Sequence, residues 1–226
     1  MNAKAPDDRG FVFELRNEEG RAILYARHHP DFGGIAADWS SADLARRIAG
    51  GRRQLLARAV GLHKRSDLTI LDATGGMGRD AFTLASLGAQ VELVERQPLA
   101  MSLLEDALLR AAGNPQTATA AARLTLWPGD SRNHFMRKPW DVIYLDPVYP
   151  GHDRDARSKK EMQFLRELSG GDPDAASLLQ EGLAARPGRV VVKRPRSAPP
   201  LGDRLPTFEL RGTQARFDVY LPGPSK

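Results

Sequence analysis

Residues Thr69 to Asp80, TILDATGGMGRD, constrain this chain more than any other stretch. Thr69-Ile70-Leu71 is short, apolar and partly β-branched, the pattern of a central parallel strand. Asp72 closes that strand with a carboxylate, and Gly75, Gly76 and Gly78 then allow a tight turn and close approach of the backbone to a ligand. Asp80 to Leu87 follows with helical apolar spacing, and Gly88 is a good stop. A helix that starts behind such a turn presents unpaired N–H groups. The order strand, glycine turn, helix outlines a nucleotide-cofactor site.

The dinucleotide fingerprint G-x-G-x-x-G is not present. The pattern Asp72-x-x-Gly75-Gly76-x-Gly78 is closer to the acidic, glycine-rich first motif of S-adenosylmethionine methyltransferases, with Thr74 where the first glycine usually stands. The next strand, Val91 to Glu95, ends in an acid about twenty residues beyond the turn, the spacing of a ribose-binding carboxylate. A carboxylate suits that task because it accepts hydrogen bonds from both ribose hydroxyls. A glycine turn alone also serves merely to join a strand to a helix, so the Glu95 spacing is what favours a cofactor.

Three more parallel-strand candidates follow: Arg123 to Trp127, Asp141 to Leu145 and Arg189 to Lys193. Helical stretches separate them at Leu99 to Ala112, Lys159 to Leu168 and Ala175 to Ala185, with Ala118 to Ala122 read as a helix end or loop. This alternation implies a parallel sheet covered on both faces, with Thr207 to Leu210 and Phe217 to Leu221 as an antiparallel pair at its end. Residues 1–62 form a separate region, β-rich then helical, ahead of a cofactor domain over 63–226. In it, Phe11 to Leu15 and Ala22 to Tyr25 flank a turn at Asn17 to Gly20, and a helical pattern from Asp43 to Gly61 is broken at Gly50-Gly51. The arginines of that helix, including Arg46, Arg47 and Arg52, read equally as phosphate contacts or as a solvated face. His28-His29 does not read as a metal site, because neighbours on a strand point to opposite faces and no carboxylate or third histidine stands at ligand spacing.

Cysteine is absent, which excludes disulfides and thiolate chemistry. No apolar run reaches the length of a membrane span, and the polar start MNAKAPDDRG lacks the pattern of a signal peptide, so a cytoplasmic protein is expected. The net charge of +5 favours an acidic partner, nucleic acid first among them.

In open α/β sheets ligands bind beyond the carboxyl ends of the strands. The residues found there are Asp72, Glu95, Asp130 with Ser131, Asp146 and Lys193. Asp146-Pro147-Val148-Tyr149-Pro150 resembles the Asp/Asn-Pro-Pro-Tyr/Phe loop of methyltransferases that act on planar exocyclic amines. Such an amine is a poor nucleophile because its lone pair is delocalised into the ring. Acceptors aimed at its N–H groups, here the Asp146 carboxylate and the Pro147 carbonyl, hold it and favour charge developing on nitrogen. Tyr149 can stack on the base, and the prolines fix the loop for in-line transfer. Basic residues near the same edge are candidate phosphate contacts: Lys159 and Lys160 after the loop, and Lys193-Arg194 in a run without acids.

Taken together, LDATGGMGRDAF, Glu95-Arg96, YLDPVYP, KKEM, VVVKRP with APPL, RFDVY and the early GGI and GGR segments resemble the ribosomal RNA small subunit methyltransferase J family over most of the chain. The resemblance implies a doubly wound, Rossmann-like class I methyltransferase sheet with a small N-terminal β-rich subdomain. It implies transfer of methyl from S-adenosylmethionine to the exocyclic N2 amine of one guanine in 16S ribosomal RNA, free or in the small subunit, with no metal and no membrane. It further implies cofactor contacts from Arg79, Asp80, Glu95, Arg96, Asp130, Ser131 and Asp146, beside Asp72, Gly76 and Gly78 of the turn. The chain departs from the family pattern at Gly75-Gly76-Met77-Gly78, where Ala-Gly-Leu-Gly is usual, at Asp130, often serine, and at Tyr149, commonly phenylalanine. Two other expectations compete: an adenine-N6 methyltransferase, which uses the same loop, and a non-catalytic RNA-binding assembly protein.

Overall fold

Strands and helices alternate as the sequence pattern requires in the computed structural model, which describes residues 10–148, 156–213 and 215–222; the backbone alone is described for 156–162. A hairpin comes first, β1 (Phe13–Glu18) and β2 (Arg21–Ala26), followed by α1 (Ala42–Ala49) and α2 (Leu55–Val60). Then come β3 (Thr69–Asp72), α3 (Arg79–Ser86), β4 (Gln90–Glu95), α4 (Pro98–Ala112), α5 (Ala118–Ala121), β5 (Leu124–Pro128) and α6 (Arg132–Phe135). The chain continues through β6 (Val142–Leu145), α7 (Ala156–Ser169), α8 (Ala175–Ala184), β7 (Arg189–Pro195), β8 (Phe208–Arg211) and β9 (Ala215–Tyr220).

The seven-stranded sheet has the order β5-β4-β3-β6-β7-β9-β8. Its first five members are parallel, and β9 inserts antiparallel between β7 and β8. The strand order turns back beside β3, and the crevice at such a switch point is where ligands bind.

Period-two alternation divides the central strands between two cores. Ile70, Val142, Tyr144 and Val191 face one side, with Phe82, Leu84 and Leu104 of α3 and α4. Leu71, Ile143, Leu145, Val190 and Val192 face the other, with Phe135, Trp140, Leu178 and Leu179. The first core runs without a break into Phe13, Leu24, Trp39 and Leu44, so the hairpin and α1 are seated on the same face as α2 to α4.

The hairpin turn is tighter than the sequence suggests. Glu18 pairs with Arg21, leaving only Glu19 and Gly20 in the loop, at φ 52° and 77°. Two left-handed residues match the twist of the flanking strands, which extends β1 to Glu18. The expected helix from Asp43 to Gly61 breaks at Gly50-Gly51 into α1 and α2, and Ser41 caps α1 by accepting from Leu44 N. Ala118 to Ala121 forms a short helix of its own, and α6, which the sequence reading did not foresee, follows Asp130-Ser131. Among the described residues no helix is long and apolar enough to cross a membrane.

Candidate active site

The glycine turn is clamped from both sides. Gly75 N donates to Val94 O of β4 at 3.0 Å, and a Cβ on Gly75 would stand 2.6 Å from Leu93 Cδ2. Gly78 has φ 68°, and a Cβ there would stand 2.7 Å from Trp39 Cζ2. Trp39 in turn donates its indole N–H to Met77 O at 3.1 Å. Only glycine allows the turn to lie this close to β4 and to the indole.

Between this turn and the ends of β4, β5 and β6 lies a cavity of about 270 Å³, lined among others by Asp72, Gly76, Glu95, Asp130 and Asp146. Glu95 Oε2 accepts from Gly76 N and Oε1 from Gln97 N, both at 2.7 Å. Each oxygen keeps a further lone pair for a ligand hydroxyl. Burial pushes the Glu95 carboxyl up, against the pull of those two N–H groups. Asp72 is 2% exposed and accepts from Thr74 N at 3.2 Å. Burial, reinforced by the charges of Asp80, Asp146 and Glu95, pushes its carboxyl well above the usual range.

A second charged group forms the wall beside Asp146. Asp80, in the first turn of α3, pairs with Arg47 through Oδ1, while its Oδ2 accepts from Tyr144 Oη and from Lys193 Nζ at 3.2 Å. Lys193 Nζ also donates to Asp146 Oδ2 at 2.8 Å. Burial opposes ionisation of Asp80, yet Lys193 and Arg47 outweigh it and hold that carboxyl well below the usual range. Burial likewise acts against the Lys193 ammonium, but the two carboxylates keep it above the usual lysine range. Asp146 is raised by burial, with Asp80 adding to that effect and Lys193 opposing it. Asp146 N donates to Thr74 Oγ1 at 2.6 Å, which fastens the loop after β6 to the glycine turn. Among the described residues, Asp146 Oδ1 has no hydrogen-bond partner.

The structure gathers Asp72, Gly76, Gly78, Arg79, Asp80, Glu95, Arg96, Asp130, Ser131 and Asp146 around this one cavity. Several of these side chains are already engaged. Arg79 pairs with Asp43, Arg96 with Asp172 and Asp174, and Asp130 with Arg132. Pro147 is buried, while its neighbours Asp146 and Val148 line the cavity. Tyr149 lies outside the described residues, as do the side chains of Lys159 and Lys160.

Three expectations need correction. Lys193 is not part of an exposed basic run; its ammonium is held inside the cavity by two carboxylates. Arg194, on the opposite face of β7, is 4% exposed and donates to Pro199 O at 2.9 Å, so it does not present a charge to phosphate. His28 and His29 stand beyond the end of β2, where strand alternation no longer applies, and both Nε2 atoms lie 2.8 Å from Glu167 of α7. The carboxylate missing at local spacing comes from 139 residues away.

The sequence reading left Arg47 undecided and overlooked Tyr144, Trp39 and Asp172. Arg47 follows Leu44 by three positions on α1, a spacing that places it on the buried side of that helix. Tyr144 sits within a fully apolar run, so its hydroxyl carried no distinguishing signal.

A doubly wound sheet with an acidic, glycine-turned cavity at its switch point defines a class I S-adenosylmethionine-dependent methyltransferase. The family described as "Putative SAM-dependent methyltransferase" matches residues 3–222. The chain belongs to the ribosomal RNA small subunit methyltransferase J family. It is 44% identical over 224 residues to the protein of that name from Pseudomonas aeruginosa (strain UCBPP-PA14), covering 96% of this chain and 84% of the relative. It is 41% identical to the one from Shewanella denitrificans, covering 97% and 90%. Among solved structures, the SAM-dependent methyltransferase NGO1261 from Neisseria gonorrhoeae superposes with a TM-score of 0.75 at 32% identity, covering 95% of this chain and 84% of that one. The cofactor is therefore S-adenosylmethionine, and the cavity fits it: a turn that only glycine can form, and carboxylates with lone pairs to spare for hydroxyls and a cationic centre.

Proposed function

We propose that this chain methylates the exocyclic N2 amine of a guanine in 16S ribosomal RNA, working in the cytoplasm on the free RNA or the small subunit. The observation that carries this reading is Asp146, whose carboxylate faces the cofactor cavity with Oδ2 held by Lys193 and Oδ1 left for a substrate N–H. The names of the relatives support the substrate class.

S-adenosylmethionine, when bound, supplies an electrophilic methyl group on a sulfonium centre. In our reading Asp72, Gly76, Gly78, Glu95, Asp130 and Ser131 hold it, with Arg79 and Arg96 shaping the rim. Asp146 Oδ1 accepts one amine N–H and favours positive charge growing on nitrogen. Lys193 keeps that carboxylate ionised and fixed in direction. Pro147 stiffens the loop, Tyr149 stacks on the base, and Lys159 and Lys160 contact phosphate. Asp80, placed on the cavity wall as a cofactor contact, also steadies Lys193, and Arg47 and Tyr144 hold Asp80 in turn.

The test is incubation of the full chain with unmodified 16S RNA or small subunits and labelled S-adenosylmethionine, followed by mass spectrometry of the nucleosides. N2-methylguanosine is expected. N6-methyladenosine would replace the guanine assignment, and a ring-nitrogen or ribose product would remove Asp146 from its role.

Asp72 gives a separate prediction. Because burial raises its carboxyl, the folded state resists its ionisation, and stability falls as pH rises from the ordinary carboxylate value toward the folded one. Asp72→Asn keeps an oxygen for Thr74 N and removes that penalty. The cofactor-free variant is expected to melt a few degrees higher at neutral pH, while calorimetry shows S-adenosylmethionine affinity at least about tenfold weaker.

A further inference from the structure

We propose that His28, His29 and Glu167 form a binding site for a borderline divalent cation of the zinc class, separate from the methyl-transfer cavity. The inference goes beyond the methyltransferase reading and does not depend on it. Two imidazoles and a carboxylate bring one ligand atom each to within 4.8 Å of one another. The carboxylate divides its oxygens between the rings, Oε2 facing His28 Nε2 and Oε1 facing His29 Nε2, each at 2.8 Å. Neighbouring ligands on a tetrahedral zinc are about 3.3 Å apart, as zinc–ligand bonds of about 2.0–2.2 Å require. The carboxylate thus needs to part from each ring by about half an ångström, a change within reach of small side-chain rotations.

The surroundings suit such a site. His28 Nδ1 lies 3.2 Å from Val12 O and also from Val12 N. Binding the cation at Nε2 moves the ring proton to Nδ1, where it donates to that carbonyl, the outer hydrogen bond that metal-bound histidines commonly make. Gln163 Nε2 is 3.0 Å from His29 Nε2 and donates to Glu167 Oε1 at 2.9 Å; with a cation bound, turning the amide over would exchange that hydrogen bond for a fourth ligand oxygen. The rings are boxed by aromatic neighbours: Phe13 meets His28 edge-on at 5.1 Å, and Phe32 stacks on His29 at 4.8 Å. Side-chain exposures of 16%, 29% and 13% for His28, His29 and Glu167 leave the site sheltered yet reachable. A nitrogen-and-oxygen donor set without thiolate suits zinc and its neighbours better than calcium or magnesium. A bound cation would pin the turn after β2 to α7, across 139 residues of chain.

The test uses the full chain, free of any histidine tag and stripped with a chelator. Zinc is titrated in competition with a chromophoric chelator, and cobalt is added separately to read coordination from its visible absorption. The expected result is one zinc per chain at micromolar affinity or tighter, a rise in Tm with zinc, and the intense absorption of tetrahedral cobalt. His29→Asn and Glu167→Gln, checked for folding by circular dichroism, should each weaken binding by at least about tenfold. A wild type that binds no zinc overturns the proposal. So does weak, octahedral-type cobalt absorption, which needs no variant to interpret, or variants that bind as the wild type does, which would place the cation on the acids of the cavity.

Discussion

Asp146→Asn is expected to lower kcat by about 10²–10³-fold, the usual loss when one preorganised polar group aimed at developing charge is removed. The variant keeps the shape of the side chain and an oxygen for Lys193, but loses the negative charge that favours a positive nitrogen. If Asn presents its amide toward the substrate, two donors face each other, which deepens the loss. RNA affinity should stay within about threefold, because phosphate contacts dominate it and Asp146 makes none. Single-turnover methylation and filter binding on the same preparation check both parts. Equal loss of turnover and RNA binding would move Asp146 out of the transfer step.

Lys193→Met should have the next largest effect, and of a different kind. The cation it removes is shared by Asp80 and Asp146, so two carboxylates lose a partner inside the cavity. Breaking a fully buried pair costs about 3–5 kcal/mol; with the ammonium side chain 28% exposed, a loss of about 2 kcal/mol is expected. Asp80 has a depressed carboxyl in the fold, so its contribution to stability is present above the ordinary carboxylate value and is lost as pH falls through the folded one. The destabilisation should accordingly be greatest near neutrality and shrink in acid. Activity should fall about a hundredfold, and the acid limb of the kcat profile should move to higher pH as Asp146 becomes harder to ionise. The salt slope of RNA binding should not change, whereas a lysine on phosphate would reduce it by about one. Chemical denaturation across pH, a pH–rate profile and binding at several salt concentrations supply the three readings. A flattened salt slope with intact turnover would return Lys193 to the RNA surface.

Much of the frame was legible because it depends on short-range rules. The apolar run at Thr69 to Leu71, the glycines behind it and the helical spacing from Asp80 placed the switch point. Acids at the ends of successive strands placed Asp72, Glu95, Asp130 and Asp146 around one cavity, because parallel strands deliver their carboxyl ends to the same edge. Side-chain partnerships were less legible. Lys193 and Arg194 read as a basic run by composition, although strand alternation sends one into the cavity and the other into the opposite layer. Their partners, Asp146 and Pro199 O, are visible only once β7 lies beside β6. His28, His29 and Glu167 show the same limit: neither local period nor spacing can bring together residues 139 positions apart. The hairpin turn failed for a smaller reason, since Asn17 and Glu18 also suit a turn, and cross-strand pairing decided between four loop residues and two.

The indole of Trp39 has a mechanical consequence. It is rooted ahead of the first parallel strand, yet it fills the space that any side chain on Gly78 would need and bonds the backbone of Met77. The leading hairpin and its helix are therefore an external strut for the donor's bed. Removing that strut takes away both the packing at Gly78 and the hydrogen bond to Met77 O.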